Sequence, residues 1–265
     1  MCLILLAWQR HPRYRLVVVA NRDEFYERPT APAGFWPHAP KILAGRDLEQ
    51  GGTWLGVTTT GRFAALTNYR DGNVRDPAKL SRGWLVQEFL LGSKSPIEHL
   101  REVEARAEAY NGFGLVVGDG ERLCFFSNRT SGMRDLAPGL YGLSNHMLDT
   151  PWPKVVRGKS ILTQMLQSGD PLDADAALDL LADTTIAEDD LLPDTGVGMQ
   201  RERMLSPIFV RGDVYGTRSS TVLTIDRKGE ITLVERSFDK TGRITGTTTH
   251  RFAMENISVQ LRADK

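Results

Sequence analysis

The apolar residues at the head of the chain fall into two short runs, Leu3–Trp8 and Arg15–Ala20, separated by the polar turn QRHPR. Each run is too short for a helix, and the second, RLVVVA, is rich in β-branched residues. Both therefore read as buried strands joined in a hairpin. The pattern recurs in GGTWLGVTTTGRFAALTNYRDG, which turns at TTTGR and ends in Asn68, Tyr69, Arg70 and Asp71. A third hairpin, FGLVVGDGERLCFFSN, turns through Asp119-Gly120 and ends at Asn128; a fourth, from Pro207 to Phe238, turns at Arg227-Lys228-Gly229. Strands that finish in polar residues suit a site built along one rim of a sheet.

Helical spacing is confined to two regions. Arg82–Leu91 and Pro96–Ala107 form one pair, with Pro96 suited to a first helical turn; Pro153–Gln167 and Asp173–Asp183 form the other, with Asp173 as N-cap. Paired strands and paired helices, rather than alternating ones, predict the α+β class with antiparallel sheets. Glu188–Arg203 is polar and rich in turn residues, so it is expected to be a mobile loop or lid. No repeat and no linker divides the chain, so residues 1–265 are expected to form a single domain.

Charge and cysteine content narrow the function. Lys+Arg and Asp+Glu both number 33, which gives no basic surface for nucleic acid or anionic lipid. Two cysteines make no disulfide framework and fit a reducing compartment. The apolar stretch at the start lacks a basic n-region and is followed by QRHPR, unlike a secretory signal. No run reaches the roughly 20 apolar residues that span a bilayer. The expected location is the cytoplasm, with no transmembrane segment and no nucleic-acid partner. The five histidines show no ligand spacing, so no metal is expected. Gly196-Val197-Gly198 lacks the strand-to-helix setting of a dinucleotide site, and Cys124, in RLCFF, reads as core.

The chemistry concentrates at Cys2. Removal of Met1 leaves Cys2 with a thiol beside a free α-amine, which titrates near pH ~8 and can take the thiol proton. The competing reading is a small buried residue that merely starts a strand. In the first hairpin Cys2 lies beside Asn21, Arg22, Asp23 and Glu24. Arg22 or Arg218 is placed to lower the thiol pKa. Asn68 and Asn145, at strand ends, are candidate oxyanion and positioning groups, and Asp23 is the candidate acceptor that orients the amine.

Ordered motifs then carry a resemblance: MCLI at the start, ANRDEFYERP at 20–29, GGTWLGV at 51–57, ALTNYR at 65–70, YNGFGLV at 110–116, YGLSN at 141–145, TPWPKV at 150–155 and YGTRSSTVL at 215–223. The chain resembles the NRDE family, also called the transport and Golgi organisation protein 2 family. That resemblance implies the four-layer αββα sandwich of N-terminal-nucleophile hydrolases, related to choloylglycine hydrolases and penicillin V acylases. It implies catalytic roles for Cys2, Asp23, Asn68 and Asn145, and ligand contacts at Asn21, Arg22, Tyr69 and Arg218. It places Ala20 where those hydrolases keep an arginine, while period-two alternation puts Arg22 on the face opposite Asp23.

Two functions follow. The resemblance implies an intracellular protein that handles haem or a similar amphipathic metabolite in a hydrolase-like cleft. Haem would be cargo, held by apolar groups such as Trp8, Phe35, Trp36, Trp54 and Trp84, with arginines at its propionates. The residue chemistry implies instead a cysteine amidohydrolase that cleaves an amide or thioester after loss of Met1 and needs no cofactor.

Overall fold

Side-chain alternation along the first hairpin sorts its residues onto two buried faces. On β1 (Cys2–Trp8) and β2 (Tyr14–Phe25), Ile4, Leu6, Trp8, Leu16, Val18 and Ala20 join one core cluster. Leu3, Leu5, Ala7, Val17 and Val19 join another. A strand with both faces covered reads as a continuous apolar run, which is why LILLAW and LVVVA show no polar alternation. The computed structural model describes residues 2–72 and 75–255.

The remaining strands are β3 (Thr30–Trp36), β4 (Ala39–Asp47), β5 (Leu55–Thr58), β6 (Phe63–Asn68), β7 (Phe113–Gly118), β8 (Leu123–Ser127), β9 (Arg134–Asp135), β10 (Gly139–Leu143), β11 (Tyr215–Asp226), β12 (Glu230–Phe238) and β13 (Ile244–Ala253). They form a six-stranded sheet in the order β10-β1-β2-β11-β12-β13 and a seven-stranded sheet running from β3 to β9. Every named strand pairing is antiparallel. The helices are α1 (Gly83–Leu91), α2 (Pro96–Ala105), α3 (Pro153–Gln167), α4 (Ala174–Leu181) and α5 (Met199–Leu205).

Three core clusters make the layers. One lies between the sheets. A second joins α1 and α2 to the seven-stranded sheet through Leu85, Phe89, Leu100 and Phe126. The third joins α3 and α4 to the six-stranded sheet through Val155, Leu162, Leu178 and Leu181. This is the α+β class that the patterning predicts, in the αββα arrangement that the family resemblance implies. Helix ends follow local chemistry: Ser95 and Glu98 form a capping box with Pro96 behind it, and Asp173 caps α4 by accepting from the Asp175 N–H.

The sequence pattern missed β3, β4, β9, β10 and β13. β13 exposes most of its residues, including the threonines before His250, and β3 is broken by register shifts at Ala31/Gly34 and Phe35/Trp36, so neither carries a clean period. The expected loop at 188–203 is also corrected. Its second half enters α5, and Glu202 is buried there. No helix among the described residues is long and apolar enough to cross a membrane.

Glu235 is a carboxylate in the layer between the sheets. It follows Ile231 and Leu233 on the inner face of β12 and is 3% exposed. It accepts the Ala33 N–H of β3 at 2.6 Å and the Thr221 hydroxyl at 3.2 Å. One side chain thus ties the edge of one sheet to the other, and burial pushes its carboxyl pKa up. Glu235→Ala leaves both donors buried without an acceptor and is expected to cost about 2–4 kcal/mol in urea unfolding, with Glu235→Gln milder because an amide oxygen still accepts.

Candidate active site

The antiparallel register sets Cys2 directly opposite Arg22. Cys2 shares the parity of Ile4 and Leu6, and Arg22 that of Ala20 and Val18, so both side chains face the space between the sheets. Cys2 is 8% exposed and Arg22 5%. The guanidinium stacks 4.3 Å from the Trp54 ring centroid, donates to Thr30 Oγ1 at 2.9 Å and lies 4.0 Å from Glu24. Gly45 makes room for that indole: a Cβ there would sit 2.2 Å from Trp54 Cη2. Arg22 does lie opposite Asp23, as alternation predicts, but its face is the face of Cys2. Arg22 lies two residues beyond Ala20 on the same side of the strand.

Asn145 fixes the other side of Cys2. It follows β10, which pairs with β1, and is wholly buried. Its Oδ1 accepts the Cys2 N–H at 3.3 Å, and its Nδ2 donates to the Asn68 carbonyl at 2.9 Å. The Arg70 N–H donates to the Asn145 carbonyl at 2.7 Å. The Ser144 hydroxyl donates to the Cys2 carbonyl at 3.1 Å, and Thr67 Oγ1 donates to the Ser144 carbonyl at 2.6 Å. The end of β6, carrying Asn68, is thereby stitched to the start of β1.

Asp23 faces the helices. Its Oδ1 accepts from Thr217 Oγ1 at 2.7 Å, and its carbonyl accepts from the Tyr215 hydroxyl at 2.8 Å. Burial pushes its carboxyl up, opposed by the Lys154 ammonium and the Thr217 hydroxyl. Burial likewise pushes the Cys2 thiol up; the Asp23 carboxylate adds to this, while the Asp23 N–H and the Arg22 guanidinium pull it back.

Two residues expected to contact a ligand make other bonds in the structure. Asn21 donates to the carbonyls of Leu181 at 2.8 Å and Ile208 at 2.9 Å and accepts from Ser220 Oγ at 2.6 Å. It is a buried strut to the helix layer, on the face away from Cys2. Arg218 sits in the register shift between Thr217 and Ser219, which re-aims it. Its Nη1 donates to the carbonyls of Phe25, Tyr26 and Arg28 at 2.9, 3.1 and 3.0 Å, so it organises the turn after β2.

Tyr69 lines a cleft of about 420 Å³ with Arg70, Asp71, His146, Asp194, Thr195 and Gly196. The cleft begins one residue beyond Asn68 and Asn145. The Tyr69 hydroxyl bonds His146 Nε2 at 2.7 Å, and His146 Nδ1 bonds Thr150 Oγ1 at 2.9 Å. Burial, then the Arg70 charge, holds the His146 pKa down. Arg70 meets Glu202 of α5 at 3.1 Å, both buried, and lies 4.3 Å from the Trp152 ring centroid. Glu202 Oε1 also accepts the Thr195 N–H and hydroxyl, which ties the 194–202 segment over the cleft.

With the geometry established, comparison with known proteins decides the family. The profile of the family described as Transport and Golgi organisation 2 matches residues 1–240. The chain belongs to this family. The bovine Transport and Golgi organization protein 2 homolog is 38% identical over 97% of this chain and all of the relative. The human homolog is 37% identical over the same shares, and the Drosophila melanogaster protein 25% over 89% of this chain and 92% of its own. Among solved structures, two variants of the conjugated bile acid hydrolase from Clostridium perfringens superpose with TM-scores of 0.53 and 0.54, at 9% and 10% identity. They cover 97% and 96% of this chain and 94% of theirs. At that identity they establish a shared N-terminal-nucleophile hydrolase fold.

Within this family member the sequence reading passed over four site residues. His146 follows Asn145 and Glu202 lies in an expected loop. Arg82, its guanidinium pushed down to about 10 by burial and the neighbouring Arg75 charge, sits at a helix start. Lys154 lies inside the motif TPWPKV. A lysine beside Trp and Val at the first turn of an apolar-faced helix was the available signal. Lys154 is 3% exposed, its Nζ has no hydrogen-bond partner among the described residues, and burial pushes its pKa down to about 8. Among the described residues no cluster of His, Cys, Asp and Glu could hold a metal.

The Lys154 shift has a definite sign in stability. The folded value of about 8 lies below the ordinary 10.5, so between these limits the unfolded chain binds more protons and stability rises with pH. The penalty is fully present below about pH 8. Lys154→Met is therefore expected to raise urea-unfolding stability at pH 7 by up to about 3 kcal/mol, with the gain shrinking toward pH 10.

Proposed function

We propose that this chain is an N-terminal cysteine hydrolase of amide or thioester bonds, formed when Met1 is removed. The observation that carries the reading is the double hold on Cys2. Its backbone nitrogen donates to Asn145, and its side chain lies across the strand from Arg22. In the processed chain that nitrogen is an α-amine, which keeps the same acceptor.

The chemistry then runs through groups already in place. The α-amine takes the thiol proton, and Sγ attacks the substrate carbonyl carbon. The oxyanion is stabilised by donors at the rim, for which Asn68 is the assigned side chain, while Asn145, its amide engaged by the Cys2 N–H and the Asn68 carbonyl, positions the nucleophile; the Arg22 charge favours the thiolate. The α-ammonium passes its proton to the departing nitrogen or sulfur, leaving a thioester on Cys2. Water, deprotonated by the amine, attacks that thioester; the acid departs and the proton returns to Sγ. Asp23 orients the amine, and Tyr69 belongs to the wall that receives the substrate.

The other reading, haem or amphipathic cargo, rests on the family resemblance. The cleft supports it less: no aliphatic side chain among the described residues lines it, whereas a macrocycle needs apolar walls, and both His146 ring nitrogens are hydrogen-bonded. A saturable Soret shift at micromolar haem that Cys2→Ala leaves unchanged would favour the cargo reading.

The processed protein is to be incubated with N-acyl amides and acyl thioesters of varied chain length, with acid release and the mass of the N-terminal peptide both followed. We expect turnover with a transient acyl adduct on Cys2. Cys2→Ala should lower the rate at least about 10³-fold and Asn145→Ala about 10²–10³-fold. Retention of Met1, or turnover that survives Cys2→Ala, would sink the reading.

A further inference from the structure

Lys154 is poorly explained as a packing residue. It is the second residue of α3, whose N-cap is Trp152, so its cation opposes the positive end of the helix dipole. It is buried, without a hydrogen-bond partner for Nζ among the described residues. An apolar side chain of similar length would fill the position without the cost of a buried charge. Such an orphaned group in a native core calls for a functional account.

Its surroundings supply one. α3 packs against β1 and β10, on the side of the sheet toward which Asp23 points with Val17 and Val19, and the charges that act on Lys154 there come from Asp23, Arg70, Cys2 and Glu202. Arg70 and Glu202 are already joined to each other. Around Cys2 stand Arg22 and Asp23, with Arg82 from the start of α1 within electrostatic reach. Arg22 has Glu24 beside it. Lys154 is the buried cation of this group whose charge acts on Asp23, the neighbour of the residue set opposite Cys2.

We infer that Lys154 is a positioning residue of the site: by facing Asp23, its ammonium offsets that carboxylate and keeps the Cys2 α-amine neutral, ready to accept the thiol proton. The inference rests on the terminal-nucleophile reading. A carboxylate alone beside an α-amine stabilises the ammonium, which cannot act as a base; a second buried cation disfavours it. Acting together, Asp23 orients the amine and Lys154 prevents that orientation from fixing the proton. The neighbouring amine and lysine then titrate as a coupled pair.

Selective ¹³C-cysteine labelling makes this measurable, because Cys2 and Cys124 are the two cysteines of the chain. Intact mass first reports whether Met1 is absent. NMR titration then follows the Cα shift of Cys2 for the α-amine and the Cβ shift for the thiol, with Cys124 as internal reference. In the unsubstituted protein we expect an amine midpoint at or below the ordinary range of about 7.7–8.0. Lys154→Met should raise that midpoint by about one unit, roughly tenfold in proton affinity, and Lys154→Arg should return it. Cys124 should be unmoved in all three.

An unchanged midpoint in Lys154→Met overturns the inference while leaving the hydrolase reading intact. A midpoint above about 9 in the unsubstituted protein does the same, and needs no variant to fold. Retained Met1 overturns both.

Discussion

The structure turns on the Asn145 side-chain amide. Buried between the sheets, it accepts the N–H of the first residue of β1 and donates to the last carbonyl of β6. Sheets packed by apolar side chains alone are held at a distance but are only weakly fixed in register along their shared plane. A buried amide with a partner on each sheet removes that freedom, because sliding would strand a donor and an acceptor away from water. Ser144 and Thr67 repeat the link on either side. With this stitch the start of β1 is held by hydrogen bonds at both its N–H and its carbonyl.

Charge placement follows from that constraint. Because β1 begins at the rim, the parity of β2 delivers Arg22 to the inner face and Asp23 to the outer. Each is then answered locally: Arg22 by Trp54, Thr30 and Glu24, Asp23 by Thr217 and the Lys154 charge. Arg70 is neutralised by Glu202, which makes the 194–202 segment part of the site wall. The chain has no net formal charge, yet the neighbourhood of Cys2 holds several buried ions. Such groups are costly to bury and signal function more often than stability.

The hairpins and helix pairs were legible because their signals are local. LILLAW and LVVVA show two buried faces, Ser95-Pro96 announces a helix, and Gly120 and Gly229 take the positive φ that their turns require. The pairing of Cys2 with the end of β2 was also legible, since a hairpin fixes which residues oppose. The burden carried by each side chain was not. Asn21 and Asp23 are two residues apart on one face, yet one is saturated by Leu181, Ile208 and Ser220, partners some 160 or more positions away. Arg218 was redirected by a register shift that no periodicity reveals. Glu202 takes its meaning from burial against distant elements, and a glutamate in a polar stretch gives no sign of that; for Lys154 the apolar neighbours in TPWPKV hint at burial but not at the charges it meets.

The central claim is that Cys2 is a nucleophile held at a built site, whereas Cys124 is core. Cys124 lies on β8, and burial with the nearby Asp135 carboxylate pushes its thiol up to about 12. The direct measurement is the ratio of iodoacetamide labelling rates of the two cysteines at pH 7.5 in the processed protein, read by peptide mass spectrometry. The account predicts that Cys2 labels at least about a hundredfold faster. Equal, slow labelling of both would contradict it.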